Sequence, residues 1–340
     1  MSRSDNVGMP STPTISPSGI AVLYCNLGTP SAPTAPALRR YLGEFLSDPR
    51  VVEIPRAVWW PILHGIILRT RPAKSALKYA SIWTPEGSPL LVWTRRQSQA
   101  LAERLRLAGL PVLVDFAMRY GGPSIPQALD ALCAAGARRI LLLPAYPQYS
   151  GATTGSVFDA VATWGHGRRA LPELRFVNSY HVDDGYVAAL AQQVQSHWAQ
   201  HGRGRLLISF HGVPERVIKA GDPYQDECLR TAHALIARVG LGPDEVVIGF
   251  QSRFGRARWI GPSTQDLLAE AGRQGGRIDV FCPGFTGDCL ETLEEIAQEG
   301  RALFLAAGGS EFHYIPCLNE TAPWLDALEA LTRRHLSGWV

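Results

Sequence analysis

The sequence has few charged residues, no CxxC pair and no apolar run of membrane-spanning length. Only 19% of its 340 residues are charged and the net charge is +3, without the basic clusters that nucleic-acid binding requires. Six cysteines are widely spread, so their spacing predicts neither a disulfide scaffold nor a structural zinc site. The apolar share of 46% is enough for one large or two medium α/β domains.

Two segments indicate the cellular location of the protein. Residues 1–18 are rich in Ser, Pro and Thr and lack the apolar stretch of a secretory signal, so we expect a flexible tail and a cytoplasmic protein. The most apolar segment, residues 57–68 (AVWWPILHGIIL), is shorter than the roughly 20 residues that span a bilayer. It is either a buried helix or an exposed apolar lip around Trp59 and Trp60 that contacts the inner membrane peripherally.

Short apolar runs alternate with amphipathic stretches along the whole chain. The predicted strands are 20–27, 112–118, 140–143, 174–179, 206–210, 246–251, 278–282 and 303–306. The predicted helices are 90–107, 125–135, 185–201, 223–239, 264–273, 289–299 and 322–335. This order predicts an α/β fold of two halves, each a parallel sheet flanked by helices. We place the domains at 19–170 and 171–320, with a C-terminal helix in 321–340 that packs back on the first.

Several residues with candidate roles lie at or just after the carboxyl ends of predicted strands, where ligands bind in open α/β sheets. Leu27, Arg119 and Tyr149 follow strands of the first half, whereas His211 and Gln251 end strands of the second. Residues from both halves can therefore line one cleft. The motifs GxGxxG, GxxxxGK[ST] and GxSxG do not occur, which argues against dinucleotide, nucleoside triphosphate and serine-hydrolase chemistry.

A histidine and a stripe of carboxylates are the candidates for chemistry. Gly212 follows His211 and leaves its imidazole uncovered, so the ring can bind a metal or take a proton near neutral pH. Asp288, Glu291 and Glu295 are spaced to share one helix face, where they can guide a divalent cation. The same spacing fits a capping box begun by Asp288, and the pattern leaves both interpretations open.

Seven longer motifs, between about residues 20 and 335, carry a resemblance to the ferrochelatase family. They are LYCNLGTPSAPTAPALRRYLGEFLSDPRVVEIPR at 23–56, GSPL at 87–90, AMRYGGPSI at 117–125, LPAYPQYSGATTGS at 143–156, ISFHGVPERVIKAGDPYQDEC at 208–228, GFQSRFGRARWIGPST at 249–264 and FCPGFTGDCLETLEEI at 281–296. Their order and separations make the resemblance specific.

The resemblance implies two similar Rossmann-like, chelatase-type domains with a porphyrin in the cleft between them. It implies a lyase of haem biosynthesis that inserts Fe2+ into protoporphyrin IX, with His211 and Glu291 handling the metal and the pyrrole protons. Glu295 and Asp288 would form an acidic path behind Glu291. The implied porphyrin-binding residues are Leu27, Arg119, Tyr149 and Ser150, and the propionate partners Arg39, Arg119 and Ser150.

Some details depart from the family or stay open. Cys289 stands where some members carry a histidine, so the resemblance supplies no second histidine ligand. The segment CPGF at residues 282–285 resembles the corresponding segment of Gram-negative members, which favours protoporphyrin over coproporphyrin as the substrate. The cysteine spacing does not support an iron–sulfur cluster, and we expect no tightly bound cofactor, with Fe2+ and porphyrin as substrates. The alternatives are a porphyrin or haem carrier, or a chelatase for another metal or tetrapyrrole; the oligomeric state is not predicted.

Overall fold

Two four-stranded parallel sheets organise the protein, as seen in a computed structural model that describes residues 18–253, 255 and 257–340. The strands are β1 Ile20–Gly28, β2 Leu113–Tyr120, β3 Arg139–Pro144, β4 Glu173–Phe176, β5 Arg205–His211, β6 Val246–Gln251, β7 Arg277–Phe281 and β8 Glu311–Ile315. Their orders, β2-β1-β3-β4 and β6-β5-β7-β8, match between the halves. The predicted α/β class with two similar parallel sheets is therefore confirmed. Residues 1–17 of the predicted tail lie outside the described residues.

Helices connect the strands. They are α1 Ala35–Phe45, α2 Arg56–Ile62, α3 Leu68–Ile82, α4 Pro89–Leu107, α5 Ile125–Ala134, α6 Ser156–Gly165, α7 Asp184–His201, α8 Glu215–Lys219, α9 Tyr224–Val239, α10 Thr264–Gln274, α11 Leu290–Leu293, α12 Arg301–Ala306 and α13 Ala322–Leu336. Short turns of π-helix at Leu63–Ile67, Gly151–Gly155 and Glu295–Gly300 extend neighbouring helices, and Pro243–Glu245 is a 3-10 turn. Asp183 and Ser263 cap α7 and α10 by accepting backbone hydrogen bonds, as residues of their type commonly do.

One predicted strand is wrong. Residues 303–306 lie in α12, and the eighth strand is Glu311–Ile315. A four-residue apolar run fits a buried strand and a buried helix equally well. Here Gly308, at φ 113°, ends the helical segment and lets the chain turn into β8. The other seven predicted strands overlap observed ones.

The two halves share one hydrophobic core. Tyr24 of β1 and Ile208 of β5 belong to the same buried cluster, which also contains Trp324 of α13. Helix α13 packs against both α4 and α7, and the Trp324 ring stacks on Tyr180 with 6.2 Å between centroids. Because α13 contacts helices from both predicted domains, the boundaries at 170 and 320 stay a prediction.

The apolar segment at residues 57–68 has one buried and one exposed face. Leu63 and Leu68 are packed inside, at 0% and 7% exposure. Val58, Trp60 and Ile66 are 51% to 57% exposed. The interpretation as a buried helix thus describes the inner face of this segment, and the interpretation as an exposed apolar lip describes its outer face. Within the described residues, no helix combines the length and apolarity needed to cross a bilayer.

Replacing Trp324 by Ala should strongly destabilise the protein, because the side chain is fully buried where the halves meet. We expect a loss of about 3–5 kcal/mol in the free energy of unfolding, measured by urea denaturation and circular dichroism. Trp60→Ala is the matched control, since that ring is exposed, and should change stability by less than about 0.5 kcal/mol. Equal effects of the two substitutions would contradict the shared core.

Candidate active site

The buried Gln251 connects the strand that ends at His211 with the helix that carries Glu291. His211 ends β5 and pairs in register with Gln251 at the end of β6. The Gln251 Nε2 donates to the Glu291 carbonyl oxygen at 2.7 Å, while its Oε1 accepts from Ser209 Oγ at 2.8 Å. The structure therefore places the backbones of His211 and Glu291 next to the same residue, Gln251, whose side chain is completely buried. The catalytic roles of His211 and Glu291 stay a prediction.

The imidazole of His211 is half-buried and has a defined hydrogen bond. Its Nδ1 lies 2.6 Å from the carbonyl oxygen of Gly212. A carbonyl only accepts, so Nδ1 carries the proton and Nε2 of the neutral ring keeps a lone pair. Gly212 is required here because a Cβ at this position would lie 2.8 Å from the Gln251 carbonyl oxygen. Nε2 is thus the nitrogen available for a proton or a metal.

Glu291 lines a narrow cavity together with residues of the first half. Leu27, Tyr41, Tyr79 and Cys289 also line this cavity. Burial and the charge of Glu291 raise the pKa of Tyr79 far above its ordinary value. The same causes, with the neighbouring Tyr79, raise the pKa of Tyr41. Both phenols therefore stay protonated, and the Tyr41 hydroxyl donates to the Gly28 carbonyl oxygen at 3.1 Å.

Cys289 is a buried, neutral thiol beside Glu291. Its side chain is buried, and burial together with the Glu291 charge raises the pKa of the thiol well above the ordinary value. Metal binding requires the thiolate, so a neutral Cys289 is a poor ligand.

Asp288 occupies a different environment from the one its spacing predicts. Helix α11 begins at Leu290 with Cys289 as its N-cap, so the predicted capping by Asp288 is wrong. The Asp288 carboxylate instead accepts from Thr292 Oγ1 at 3.2 Å, Asn319 Nδ2 at 2.7 Å and the Tyr314 hydroxyl. These hydrogen bonds fix the buried carboxylate next to the first residues of α11. A role in an acidic path stays a prediction.

Glu295 lies one turn beyond Glu291, where the helix changes to π geometry. Its carboxylate accepts from the backbone N–H and hydroxyl of Ser252, both at 2.6 Å, and from Gln265 Nε2 at 2.9 Å. Ser252 has a φ of 65°, a strained conformation that these bonds support. A π-turn often occurs at functional sites, and here it follows the candidate glutamate directly.

Arg119 is anchored in a buried polar cluster. Its Nη2 donates to Asp48 Oδ2 at 2.6 Å and its Nε to Ser156 Oγ at 2.6 Å. Burial favours protonation of Asp48, but hydrogen bonds from Ser156, the Arg50 backbone and Tyr120, followed by the Arg119 charge, lower its pKa below 3.8. Two of the three guanidinium nitrogens of Arg119 are thus engaged inside the protein.

The remaining predicted porphyrin residues are spread over the first half. Tyr149 lines a second cavity of about 380 Å³ with Arg50. The buried Ser150 hydroxyl donates to Asp222 Oδ2 at 3.1 Å and accepts from the Ala152 N–H. Arg39 Nε donates to the carbonyl oxygen of Leu68. Among the predicted porphyrin-binding residues, all of which the structure describes, only Leu27 lines the same cavity as Glu291.

Sequence reasoning missed the contributions of Tyr41, Tyr79 and Asp48. The sequence signal for Tyr41 was its i, i+4 spacing to Phe45 on an amphipathic helix after Pro36. Tyr79 and Asp48 offered no local pattern for these roles, because side chains such as Glu291 near Tyr79 and Tyr120 bonded to Asp48 lie far away along the chain.

The fold and site together define a chelatase-type protein, and solved structures share this fold. The structure titled SirB from Bacillus subtilis with Fe3+ matches with a TM-score of 0.55 at 12% identity, over 93% of this chain and 95% of that one. CbiX, described as the terminal enzyme for siroheme biosynthesis in denitrifying bacteria, gives 0.50 at 14% identity over 92% and 98%. At these identities the similarity establishes the fold alone.

Sequence comparison is more specific. The family model described as Ferrochelatase matches residues 19–336. A ferrochelatase of Polaromonas sp. (strain JS666) is 62% identical, and one of Methylibium petroleiphilum is 61% identical, over 94% of this chain and 88% of each relative. The chain belongs to the ferrochelatase family, and the resemblance predicted from its motifs is confirmed.

Asp48→Asn should destabilise the protein at neutral pH by about 2–4 kcal/mol, because it breaks a buried charge-assisted cluster. The folded pKa of Asp48 is depressed, so its contribution is complete above the unfolded value of 3.8 and is lost as pH falls through the folded pKa. Urea unfolding should therefore show a difference from wild type that is constant near neutral pH and shrinks as the pH falls below 3.8.

Asp226→Asn is the control for this series, because the Asp226 side chain is 74% exposed. An Asp48→Asn protein as stable as wild type at pH 7 would contradict an ionised, paired Asp48.

Proposed function

We propose that this protein is a protoporphyrin ferrochelatase, a lyase that inserts Fe2+ into protoporphyrin IX and releases two protons, in haem biosynthesis. The observation that carries the proposal is the position of Gln251, whose backbone pairs with His211 and whose amide donates to the backbone carbonyl of Glu291, in a chain of this family. Fe2+ and porphyrin are its substrates, and the reaction requires no resident cofactor.

The chemistry needs a base beside the ring centre. Two pyrrole nitrogens carry protons that must leave before the metal is seated between all four nitrogens. Nε2 of neutral His211 is suited to accept such a proton, since Nδ1 is committed to the Gly212 carbonyl oxygen. Glu291 then relays protons or delivers iron from the acidic side. The protonated phenols of Tyr41 and Tyr79 do not compete as bases.

The metal must be held weakly enough to be transferred. Imidazole and carboxylate together suit Fe2+, and two protein ligands leave most coordination positions for the porphyrin nitrogens. A thiolate would bind more tightly, and the raised pKa of Cys289 keeps that ligand neutral. Binding energy from the rest of the macrocycle then supports the ring distortion that exposes the nitrogen lone pairs. We assign Leu27, Arg119, Tyr149 and Ser150 to the porphyrin side of the cleft.

His211→Ala should lower kcat for anaerobic metallation of protoporphyrin IX by about 10²-fold or more, as expected for loss of a general base. The reaction is followed by absorbance with Fe2+ under strictly anaerobic conditions. Glu291→Gln, which preserves shape, should also lower kcat. His233→Ala is the matched control, because His233 is exposed on α9.

Near-normal turnover by His211→Ala would overturn this assignment of the base. Porphyrin binding without turnover by wild type would instead indicate a carrier. Wild-type preference for another divalent metal, in a competition assay at equal concentrations, would indicate a chelatase of different specificity.

We further propose that the exposed face of residues 57–68 contacts the cytoplasmic side of the inner membrane peripherally. Support comes from three exposed apolar side chains, Val58, Trp60 and Ile66, flanked by exposed Arg56 and Arg69. Apolar side chains enter the lipid interface while basic groups bind anionic headgroups. Such contact would bring the cleft close to an apolar porphyrin dissolved in lipid.

Changing Val58, Trp60 and Ile66 together to Ser should reduce co-sedimentation with phosphatidylethanolamine–phosphatidylglycerol vesicles several-fold, because most of the inserted apolar area is lost. Leu107→Ser removes an equally exposed apolar side chain elsewhere and should leave co-sedimentation unchanged. If wild type does not sediment with the vesicles, the membrane contact is refuted while the metallation assay is unaffected.

A further inference from the structure

Three histidines and a buried carboxylate meet near the amino-terminal ends of the second sheet. The ring centroids of His197 and His201 are 4.5 Å apart, and His313 lies 5.5 Å and 5.4 Å from them. One ligand atom each from His197, His313 and Asp279 lies within 4.8 Å of the others. Asp279 pairs with Leu206, five residues before His211 on β5, so the cluster is about 16 Å from the candidate active site.

The fold creates this cluster from three elements. His197 and His201 are four residues apart at the end of α7, so they share one face of that helix. Asp279 and His313 are partners in the parallel pair of β7 and β8, and side chains of partnered residues point to the same side of a sheet. Helix α7 packs on β8 and thereby closes the group.

The local charges favour a cation. Asp279 is completely buried and accepts from Trp198 Nε1 at 2.6 Å, the Gly204 N–H at 2.9 Å and Arg277 Nε at 2.9 Å. Glu311 lies 2.6 Å from His313 Nε2 and 3.3 Å from Arg277 Nη1. Two carboxylates face one guanidinium, so the group carries a net negative charge when the imidazoles are neutral.

One nitrogen of the cluster lacks a partner. Among the described residues, the buried Nε2 of His197 makes no hydrogen bond, a costly state for a polar atom. Glu311 on one nitrogen of His313 resembles the carboxylates that orient metal-bound histidines.

We propose that His197, His313 and Asp279 form a second metal site, for Zn2+ or a similar divalent transition ion, with the adjacent His201 as its fourth ligand once the exposed ring turns toward the ion. Imidazole nitrogens and a carboxylate oxygen in a four-ligand set are the donors that such ions prefer. The bound ion would fasten α7 to β7 and β8. This role is structural and does not depend on the proposed metallation activity.

The test uses a His211→Ala/Glu291→Gln background, which removes the candidate site for substrate iron. Chelator-treated protein is titrated with Zn2+ against a chromophoric competitor, and its thermal midpoint is recorded with and without Zn2+. We expect one bound ion and a raised midpoint, since a ligand of the folded state stabilises it. Adding His313→Gln should weaken Zn2+ binding by at least about tenfold and abolish the rise.

Two further variants keep the interpretation clear. His201→Gln changes an exposed ring at the end of α7, so it can lose the metal without loss of folding, and it should also weaken binding. His233→Gln on α9 is the control and should bind Zn2+ as the background protein does. Failure of the background protein to bind Zn2+, or unchanged affinity in both His313→Gln and His201→Gln, would overturn the proposal.

Discussion

The geometry of the active site depends on the buried side-chain amide of Gln251. A completely buried amide must satisfy both its donor and its acceptor, because an unpaired group costs about 1–3 kcal/mol. The amide nitrogen donates to the Glu291 carbonyl oxygen, and the amide oxygen accepts from the Ser209 hydroxyl. In the sheet, the backbone of Gln251 is paired in register with that of His211. The start of α11 is therefore fixed relative to the end of β5, and with it the separation of the two catalytic candidates.

Charge around the site is controlled by burial. Tyr41, Tyr79 and Cys289 all have raised pKa values, since burial and the Glu291 carboxylate both oppose a further negative charge. These groups stay neutral at physiological pH, so Glu291 and the lone pair of His211 are left as the bases in this region. Metal insertion takes two protons from the porphyrin and transfers one metal ion to it. Few neighbouring side chains should therefore compete for the protons or the metal.

The sequence predicted the sheets well because buried parallel strands are continuous apolar runs. Strand ends and motifs pointed to His211 and Glu291, whose catalytic roles stay a prediction. The prediction failed at residues 303–306, where a short apolar run fits either element. The sequence also left open a helix cap by Asp288, whose carboxylate instead accepts from Asn319 and Tyr314 of a distant segment. Such long-range partners, like Tyr79 beside Glu291, leave no local pattern to detect.

The two histidine sites differ in a way that follows from their positions. His211 stands half-buried at the carboxyl end of its strand, where ligands bind in open α/β sheets. His197 and His313 are tied by helix packing and strand register to a carboxylate already fixed by three donors. Ligands that cannot move apart hold an ion, whereas a sparse set transfers it. We thus propose that the second α/β half releases a metal ion at the carboxyl end of its sheet and retains another at the amino end.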